Sequence, residues 1–358
     1  MKKQDFIKGR GAQKHVQNRF LQHSHVVEDE YLNYAHIEGE LAESNKTQYI
    51  EIFPKSILNK VTSTDIGMAY SMNPYQGCEH GCIYCYARNS HEYYGYDAGL
   101  DFEKKILFKQ NSAELLEKKI TSKNWKAENI MFSGNTDCYQ PIERKLEITR
   151  SMLQVLLKYR HPVSIITKNS LVLRDLDILK EMAALNLVHV AISITSLSED
   201  TRRLLEPRTS SIKQRLKTVE ALSKNGIPVN VMMAPIIPGL NNHEVFNMVE
   251  MVSKFGAKSV AYTMVRLNGT IGEVFTDWAK KTLPDRASKI INQIKEVHGG
   301  SLNDSRFGVR MKGEGKIAEQ VALQFRLAKK KYLAEVCMPP LNYDLFDKSL
   351  GDAQMKLF

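Results

Sequence analysis

The sequence contains no apolar run long enough to cross a lipid bilayer, which takes about 20 consecutive apolar residues in a helix. Its N-terminus, MKKQDFIKGRGAQKH, is basic but lacks the apolar segment and the small-residue cleavage site of a secretory signal. Both absences argue against a membrane-spanning or secreted protein. We therefore expect a cytoplasmic protein without a membrane helix.

Cysteine is scarce, with five residues among 358, and an odd number cannot form a complete set of disulfide bonds. In the expected reducing compartment these thiols stay available for a metal. The sequence also lacks a Walker phosphate-binding motif, and we find no RRM or zinc-finger motif in it. These absences exclude the P-loop enzymes and the common nucleic-acid modules.

The composition is otherwise that of a soluble globular protein, with 43% hydrophobic and 25% charged residues, and its length suits one large domain. The formal net charge is +10, and basic residues concentrate in the first 20 residues and at 329–331. This charge favours a polyanionic partner such as nucleic acid. Two solvated basic faces would produce the same pattern, so both interpretations stay open.

Three of the five cysteines, Cys78, Cys82 and Cys85, fall within eight residues. Thiolates are preferred ligands of zinc and of iron–sulfur clusters, and short gaps let one loop surround a metal. Structural zinc usually takes four ligands, and the candidates for a fourth are His80, His91 and Cys138. Three cysteines alone would instead leave one iron of a four-iron cluster free to bind a substrate or cofactor.

The stretch NPYQGCEHGCIYCYAR at 73–88, with Tyr84 before the last cysteine, resembles the cluster loop of radical S-adenosylmethionine (SAM) enzymes. Its flanks resemble the group related to spore photoproduct lyases, and the resemblance extends over roughly residues 70–320. It implies a 4Fe-4S cluster on Cys78, Cys82 and Cys85 whose open iron chelates SAM. It also implies reductive cleavage of SAM to a 5′-deoxyadenosyl radical, with the electron supplied by a flavodoxin or ferredoxin.

Short apolar segments alternate with amphipathic ones along most of the chain. They predict a first strand that ends near residue 72 and later strands at 105–109, 129–133, 163–167, 189–194, 228–234 and 258–264. This alternation predicts a parallel sheet with right-handed crossovers, closed into a barrel or partial barrel. The resembling family has an α/β fold, a partial TIM barrel of about six βα units. Sites in such barrels lie at the C-terminal strand ends.

We predict four parts of the chain from these patterns. A basic N-terminal arm covers 1–60, and its residues 9–12 are interpreted as flexible. The partial barrel covers 61–265, a C-terminal helical cap 266–336 and a tail 337–358. Within the cap, the glycine-rich segment around residues 304–313 has two interpretations, as part of the cap or as a closure of the barrel mouth over substrate.

Polar residues at the predicted strand ends are candidate SAM contacts. By resemblance, Thr136 and Asp137 contact the amino end of SAM, although either could simply cap a helix. A lysine that leaves an apolar strand needs an anionic partner, and by resemblance Lys168 binds the SAM carboxylate. Ser193 is a candidate for bonding the SAM ribose.

Arg208 follows in the next loop, where its guanidinium can hold a carboxylate through two hydrogen bonds. The alternative for Arg208 is a surface pair with Glu206.

Cys138 is a candidate hydrogen or proton donor, because five residues after strand three the chain should still lie over the barrel mouth. A small residue packing beside Pro141 is the alternative. Spore photoproduct lyases carry a donor cysteine at the end of strand three, where this chain has Ser133 and Gly134. Their lesion-repair activity is therefore not implied.

Three functions remain open from the sequence. One is a radical SAM enzyme acting on nucleic acid, and the second is a radical SAM enzyme modifying a peptide or metabolite. The third is a zinc-stabilised binding protein, which would leave the polar residues after the barrel strands without a purpose.

Replacement of one cluster cysteine tests the ligand assignment. We expect Cys78→Ala to lose the cluster, because the three cysteines are predicted to be its only protein ligands. Iron and sulfide analysis after anaerobic reconstitution measures this loss. A full four-iron cluster in the variant, or zinc in the wild type, would show that the ligand assignment is wrong.

Overall fold

The computed structural model describes residues 7–20 and 46–354 of the chain. Within these residues, none of the helices combines the length and the apolar character that crossing a membrane requires. The described strands are β1 (Gln48–Glu51), β2 (Leu58–Lys60), β3 (Tyr70–Met72), β4 (Tyr75–Gln76), β5 (Lys105–Phe108), β6 (Ile130–Phe132), β7 (Val163–Thr167), β8 (Val188–Ser193), β9 (Val229–Ile236) and β10 (Ser259–Met264).

Helices follow most of these strands. The described α-helices are α1 (Asp101–Lys104), α2 (Ser112–Ile120), α3 (Glu143–Leu146), α4 (Ile148–Lys158), α5 (Leu176–Ala184), α6 (Glu199–Leu205), α7 (Ile212–Lys224), α8 (Val245–Lys254), α9 (Ile271–Thr282), α10 (Pro284–Glu296) and α11 (Gly315–Tyr332). Short 3₁₀ helices cover Tyr86–Tyr94, Ser170–Asp175, Asn242–Glu244 and Lys348–Gln354.

The larger of two sheets has seven strands in the order β10-β9-β8-β7-β6-β3-β2. The neighbours from β3 to β10 pair in parallel, whereas β2 pairs antiparallel with β3. The parallel neighbours in this sheet are linked by helical crossovers, as βα alternation predicts. The predicted partial TIM barrel of about six units is confirmed, and it is open between its edge strands β10 and β2.

Burial explains why these segments form strands and helices. In β7 four of the five residues are buried, which is typical of a parallel strand covered on both faces. Met152, Leu153 and Leu156 of α4 are fully buried, and their spacing places them on one face of that helix. The helices thus cover the sheet, and their exposed faces carry the charged residues.

One predicted barrel strand lies elsewhere. Residues 105–109 were expected to be a barrel strand, but β5 belongs to a separate three-stranded sheet of order β1-β5-β4. There Gln48 pairs in parallel with Lys105, and Tyr75 pairs antiparallel with Phe108. The prediction was wrong because sheet membership depends on pairing with β1, about 55 residues away in sequence, which local alternation does not reveal.

The N-terminal segment is also more ordered than expected. Residues 10–12, interpreted as part of a flexible arm, are buried in the structure. The backbone N–H groups of Gly11 and Ala12 donate to the carboxylate of Glu103 at 3.0 and 2.8 Å. Arg10 Nη1 donates to the backbone oxygen of Glu103 at 2.6 Å. A buried carboxylate needs such donors, so Glu103 holds the segment in place.

Residues 304–313, here called the bridging segment, span the open side of the barrel. At one end Met264 N, in β10, donates to Met311 O at 2.8 Å. At the other end Asp65, in the connection between β2 and β3, accepts from Gly308 N at 2.7 Å and from Arg310 Nε at 2.5 Å. The segment therefore links the two edges of the partial barrel.

A methyl group at Gly11 should displace the N-terminal segment. An ideal Cβ there would lie 1.8 Å from the backbone oxygen of Gly81, a distance that no side chain tolerates. Overpacking of this kind typically costs about 1 to 3 kcal/mol. We expect Gly11→Ala to be cleaved by trypsin after Lys14 about five- to a hundredfold faster than the wild type, since cleavage follows the open population.

Gly67→Ala is the matched control, because a Cβ at that exposed glycine would meet nothing within 4 Å. Equal cleavage rates in Gly11→Ala and in the wild type would show that the segment is not held against the loop.

Candidate active site

The loop that carries the three cysteines follows β4 and enters the 3₁₀ helix Tyr86–Tyr94. Gly77 has a φ of +78°, and a Cβ there would lie 2.7 Å from the backbone oxygen of Lys105. Cys78 N donates to Phe102 O at 2.8 Å, which fastens the loop to α1. The loop thus packs closely on the segment that precedes β5, and only glycine fits at the closest approach.

Cys78, Cys82 and Cys85 are all free of disulfide bonds, and the first two are buried. Burial raises the pKa of each thiol. The backbone N–H groups of His80 and Ala87 point at the sulfurs of Cys78 and Cys85. Backbone donors of this kind stabilise metal-bound thiolates and tune the potential of an iron–sulfur cluster. The donor set therefore fits a thiolate-held metal centre.

The spacing of the sulfurs bears on the kind of metal. A single zinc ion holds sulfur at about 2.3 Å, so its ligand atoms lie roughly 4 Å from one another. Among the described residues, a group of three metal-binding side chains within 4.8 Å of one another occurs at His15, Asp97 and Asp101, and the three cysteines are not such a group. Lys105 already pairs with Asp101 at 3.0 Å. At least one pair of the three sulfurs therefore lies more than 4.8 Å apart, which is wider than the ligand spacing of one zinc ion.

The segment after β6 braces the cysteine loop from the side. Thr136 Oγ1 donates to Tyr75 O at 2.6 Å. The side chain of Gln140 accepts from Glu79 N at 3.1 Å and donates to Gly77 O at 3.2 Å. Since the Thr136 hydroxyl and the Gln140 amide are used in this way, the polar cluster after β6 fixes the loop. A contact between Thr136 and SAM stays a prediction.

Asp137 ties β6 to β7 through a side chain that is 11% exposed. This carboxylate accepts from Thr167 Oγ1 and from the backbone N–H of Lys168, both at 2.8 Å, and from the backbone N–H of Tyr139 at 2.9 Å. His80 Nδ1 lies 3.3 Å from it. Burial alone would raise the pKa of Asp137, but His80 and the donors outweigh burial and lower it to about 2. Asp137 is therefore ionised, and a contact between it and SAM stays a prediction.

Lys168 extends from the end of β7 with its Nζ 6.0 Å above the centre of the Tyr84 ring. Burial acts to lower the pKa of Lys168, but attraction by Cys82 in its thiolate form and by Glu206 outweighs burial, and the pKa is raised. The side chain is thus a cation beside the cysteine loop. Among the described residues no carboxylate lies within 4.0 Å of its Nζ, so this cation is available to an anion.

Glu206 is the centre of a buried network that the sequence did not reveal. Its carboxylate accepts from Arg215 Nη2 and from Thr195 Oγ1, both at 2.5 Å, and from the Tyr84 hydroxyl. Burial acts to raise the pKa of Glu206, yet Arg215 and Lys168 lower it to about 2. The network anchors Tyr84 of the cysteine loop to the ends of β8 and α6.

Arg208 does not form the surface pair with Glu206 that was one interpretation of the sequence. Its Nη1 lies 3.5 Å from Glu79 Oε1, while Glu206 is fully buried and bonded to Arg215. Ser193 is buried at the end of β8, and its carbonyl accepts from Arg215 Nη1 at 2.9 Å. SAM contacts of Arg208 and Ser193 stay predictions.

Cys138 does not lie exposed over the barrel mouth, as the sequence suggested. Its side chain is 0% exposed and belongs to the main hydrophobic core. The chain turns at Ser133, where φ is +65°, and Cys138 N donates to Ser133 Oγ at 2.8 Å. This turn points the cysteine inward. A donor role for Cys138 stays a prediction, and burial of its sulfur argues against it.

Comparison with known proteins gives one family match and several relatives of this chain. A family model described as the Radical SAM superfamily matches residues 72–252, just over half of the chain. An uncharacterized protein of Mycobacterium tuberculosis is 31% identical over 242 residues, which cover 67% of this chain and 71% of that protein. An uncharacterized protein of Methanocaldococcus jannaschii is 32% identical over 198 residues, 55% of this chain and 71% of its own length.

Solved structures with the same fold include several of spore photoproduct lyase. A variant with bound AdoMet and dinucleoside spore photoproduct is 15% identical and has a TM-score of 0.57 over 79% of this chain and 78% of its own. A second spore photoproduct lyase structure, complexed with dinucleoside spore photoproduct, is 16% identical with a TM-score of 0.56 over 79% of each chain. These identities show the fold alone.

The partial barrel and the cysteine loop at its C-terminal strand ends define a radical SAM enzyme. The chain belongs to the Radical SAM superfamily.

Glu206→Gln tests the buried network. It leaves Arg215 without its counter-charge, and breaking a buried pair from one side typically costs about 3 to 5 kcal/mol. We expect that loss in the free energy of unfolding, measured with urea under anaerobic conditions. The double variant Glu206→Leu/Arg215→Met should recover part of it, because no unpaired charge remains.

Glu220→Gln is the control, since Glu220 is exposed and pairs with Lys224 on the surface of α7. A loss in Glu206→Gln no larger than in this control would show that the network does not stabilise the site.

Proposed function

We propose that the chain holds a 4Fe-4S cluster on Cys78, Cys82 and Cys85 and uses it to cleave SAM. When bound, the cluster supplies one electron that breaks a carbon–sulfur bond of SAM, giving methionine and a 5′-deoxyadenosyl radical that removes hydrogen from the substrate. The observation that carries the proposal is the fixed loop of three free cysteines at the C-terminal strand ends. Family membership supports both cofactors.

Lys168 is proposed to bind the carboxylate of SAM. It is a cation beside Cys82 and lacks a carboxylate partner among the described residues. The other proposed SAM contacts are Thr136, Asp137, Ser193 and Arg208. Because the hydroxyl of Thr136 and the carboxylate of Asp137 already bond to the protein, their contribution to an ammonium group comes chiefly through negative charge and backbone carbonyls.

The protein must also protect a reactive radical from water. The core below the site is closed by apolar side chains of β6 to β10, and the bridging segment covers the open side of the barrel. Such enclosure keeps the substrate hydrogen close to the site where the radical forms.

An external electron donor of the flavodoxin or ferredoxin type completes the proposal. Free thiols suit a reducing compartment, and we propose a cytoplasmic location on that ground. The substrate class favoured by the net charge of +10 is nucleic acid, since a basic protein attracts a polyanion. The lesion-repair reaction of spore photoproduct lyase is not proposed, because Ser133 and Gly134 stand where a donor cysteine would be needed.

Lys168→Ala tests the proposal. Losing a charge-assisted hydrogen bond costs about 1.5 to 3 kcal/mol, which corresponds to roughly ten- to a hundredfold in affinity. We expect the variant to keep its iron content and to bind SAM that much more weakly in anaerobic equilibrium dialysis. The wild type, reduced with dithionite, should release 5′-deoxyadenosine detectable by mass spectrometry.

Lys158→Ala is the matched control, because Lys158 pairs with Glu117 on the outer surface. An unchanged SAM dissociation constant in Lys168→Ala would show that its assignment is wrong. No 5′-deoxyadenosine from the iron-loaded wild type would refute the proposed function itself.

A further inference from the structure

Arg266 lies two residues beyond the end of β10, at the C-terminal edge of the barrel. Its guanidinium is partly buried, and its Nε is fully buried with no hydrogen-bond partner. The contact that the structure gives it is from Nη1 to the sulfur of Met311, a weak acceptor, at 3.6 Å. A cation removed from water without an acceptor is costly, so this arginine is suited to receive an anion.

The other arginines that are not exposed behave differently. Among the described residues, each of them bonds to at least one oxygen, and most form salt bridges. The salt-bridged ones are Arg88, Arg150, Arg174, Arg202, Arg215 and Arg310, while Arg10 donates to Glu103 O and Thr47 Oγ1. Among the arginines of the described residues that are not exposed, Arg266 is the exception because it has no hydrogen bond to an oxygen. No carboxylate lies within 4.0 Å of it either.

Arg266 lies between the cysteine loop and the bridging segment. Just after it, Asn268 O accepts from Asn89 Nδ2 at 2.8 Å, which joins this turn to the 3₁₀ helix that begins at Tyr86. Its guanidinium interacts electrostatically with Arg310, with the carboxylates of Asp65 and Asp304, which lie beyond 4.0 Å, and with Tyr86. Tyr86 directly follows the ligand Cys85, so Arg266 is close to the centre where the radical would form.

Exposed aromatic rings accompany this cation. Tyr86 is 55% exposed although its hydroxyl donates to Gly134 O at 2.5 Å, which fixes the ring. Phe307 of the bridging segment is 59% exposed, with the guanidinium of Arg310 4.1 Å from its ring centre. Exposed rings beside cationic groups are the usual platform for stacking nucleobases while phosphates are bound.

We propose that Arg266 binds a phosphate of a nucleotide-type substrate at the barrel mouth, with Tyr86 and Phe307 as stacking surfaces for a base. This inference rests on the proposed function, because it names the substrate class of that site. Arg310 is excluded as the phosphate ligand since Asp65 neutralises it. The planar guanidinium of Arg266 has free donors that match phosphate geometry.

The test compares Arg266→Gln and Arg266→Lys with the wild type, all anaerobically reconstituted as full chains. Binding of a fluorescein-labelled thymidine oligomer of about ten nucleotides is measured by anisotropy at several salt concentrations. Thymidine monophosphate, as a competitor, distinguishes a free nucleotide from a strand phosphodiester. Arg326→Gln is the control for net charge, because Arg326 is exposed on α11.

We expect Arg266→Gln to weaken oligomer binding about tenfold, as loss of one charge-assisted contact predicts. The salt slope should decrease by about 0.7, the value for one phosphate contact on a single strand. Arg266→Lys should lose less affinity for the oligomer than Arg266→Gln, and Arg326→Gln should lose the least. Competition by thymidine monophosphate that depends on Arg266 assigns the site to free nucleotides, whereas an effect on the oligomer alone assigns it to strands. Both results support the proposal.

The proposal is overturned if the wild type binds neither probe, or if Arg266→Gln and Arg326→Gln lose the same affinity. Iron content and thermal unfolding are measured on the same samples and should be unchanged in Arg266→Gln, which separates loss of binding from loss of folding, and SAM cleavage is measured on the wild type. A wild type that fails to cleave SAM would count against the proposed function, while the binding comparison would still decide the role of Arg266.

Discussion

The buried ion pair between Arg88 and Glu103 is the interaction on which the site depends. Both side chains are fully buried, with Nη2 and Oε1 2.5 Å apart. Arg88 Nε donates to Cys82 O at 3.0 Å, and Glu103 accepts from the backbone of Gly11 and Ala12. A buried pair is tolerated only when its remaining donors and acceptors are satisfied. The pair therefore requires the cysteine loop and the N-terminal segment to be in place together.

The charges around the barrel mouth follow from a similar requirement. The carboxylates of Asp137 and Glu206 are each saturated by donors from neighbouring strands and loops, so they hold the site together and are not free to bind a cation directly. Among the described residues, Lys168 and Arg266 have no carboxylate within 4.0 Å. These two cations are the groups that we propose to bind anions at the mouth, Lys168 beside Cys82 and Arg266 beyond Tyr86.

The sequence predicts the features that depend on local pattern. Motif spacing predicts Cys78, Cys82 and Cys85 as metal ligands, and alternating apolar segments predict the partial barrel. Both patterns depend on residues that are close together in the sequence. Features set by distant contacts were missed. The pairing of β5 with β1 and the saturation of Glu206 by Arg215 both depend on tertiary packing.

The prediction that Cys138 lies over the barrel mouth was wrong for a related reason. The backbone of Ser133 has a left-handed φ, which directs the chain back into the core. Such a φ is uncommon for a residue other than glycine, so the sequence does not predict this turn. Arg266 carried no sequence signal, since only the lack of a partner in three dimensions distinguishes it from the other arginines.

Electron paramagnetic resonance of the reduced, reconstituted protein with and without SAM tests whether the three cysteines hold a four-iron cluster with one iron open to SAM. We expect the signal of a reduced 4Fe-4S cluster that changes when SAM is added, because three cysteines leave one iron for SAM to bind. A cluster signal that stays the same while dialysis shows SAM bound, or a protein that takes up zinc and no iron, would contradict the account.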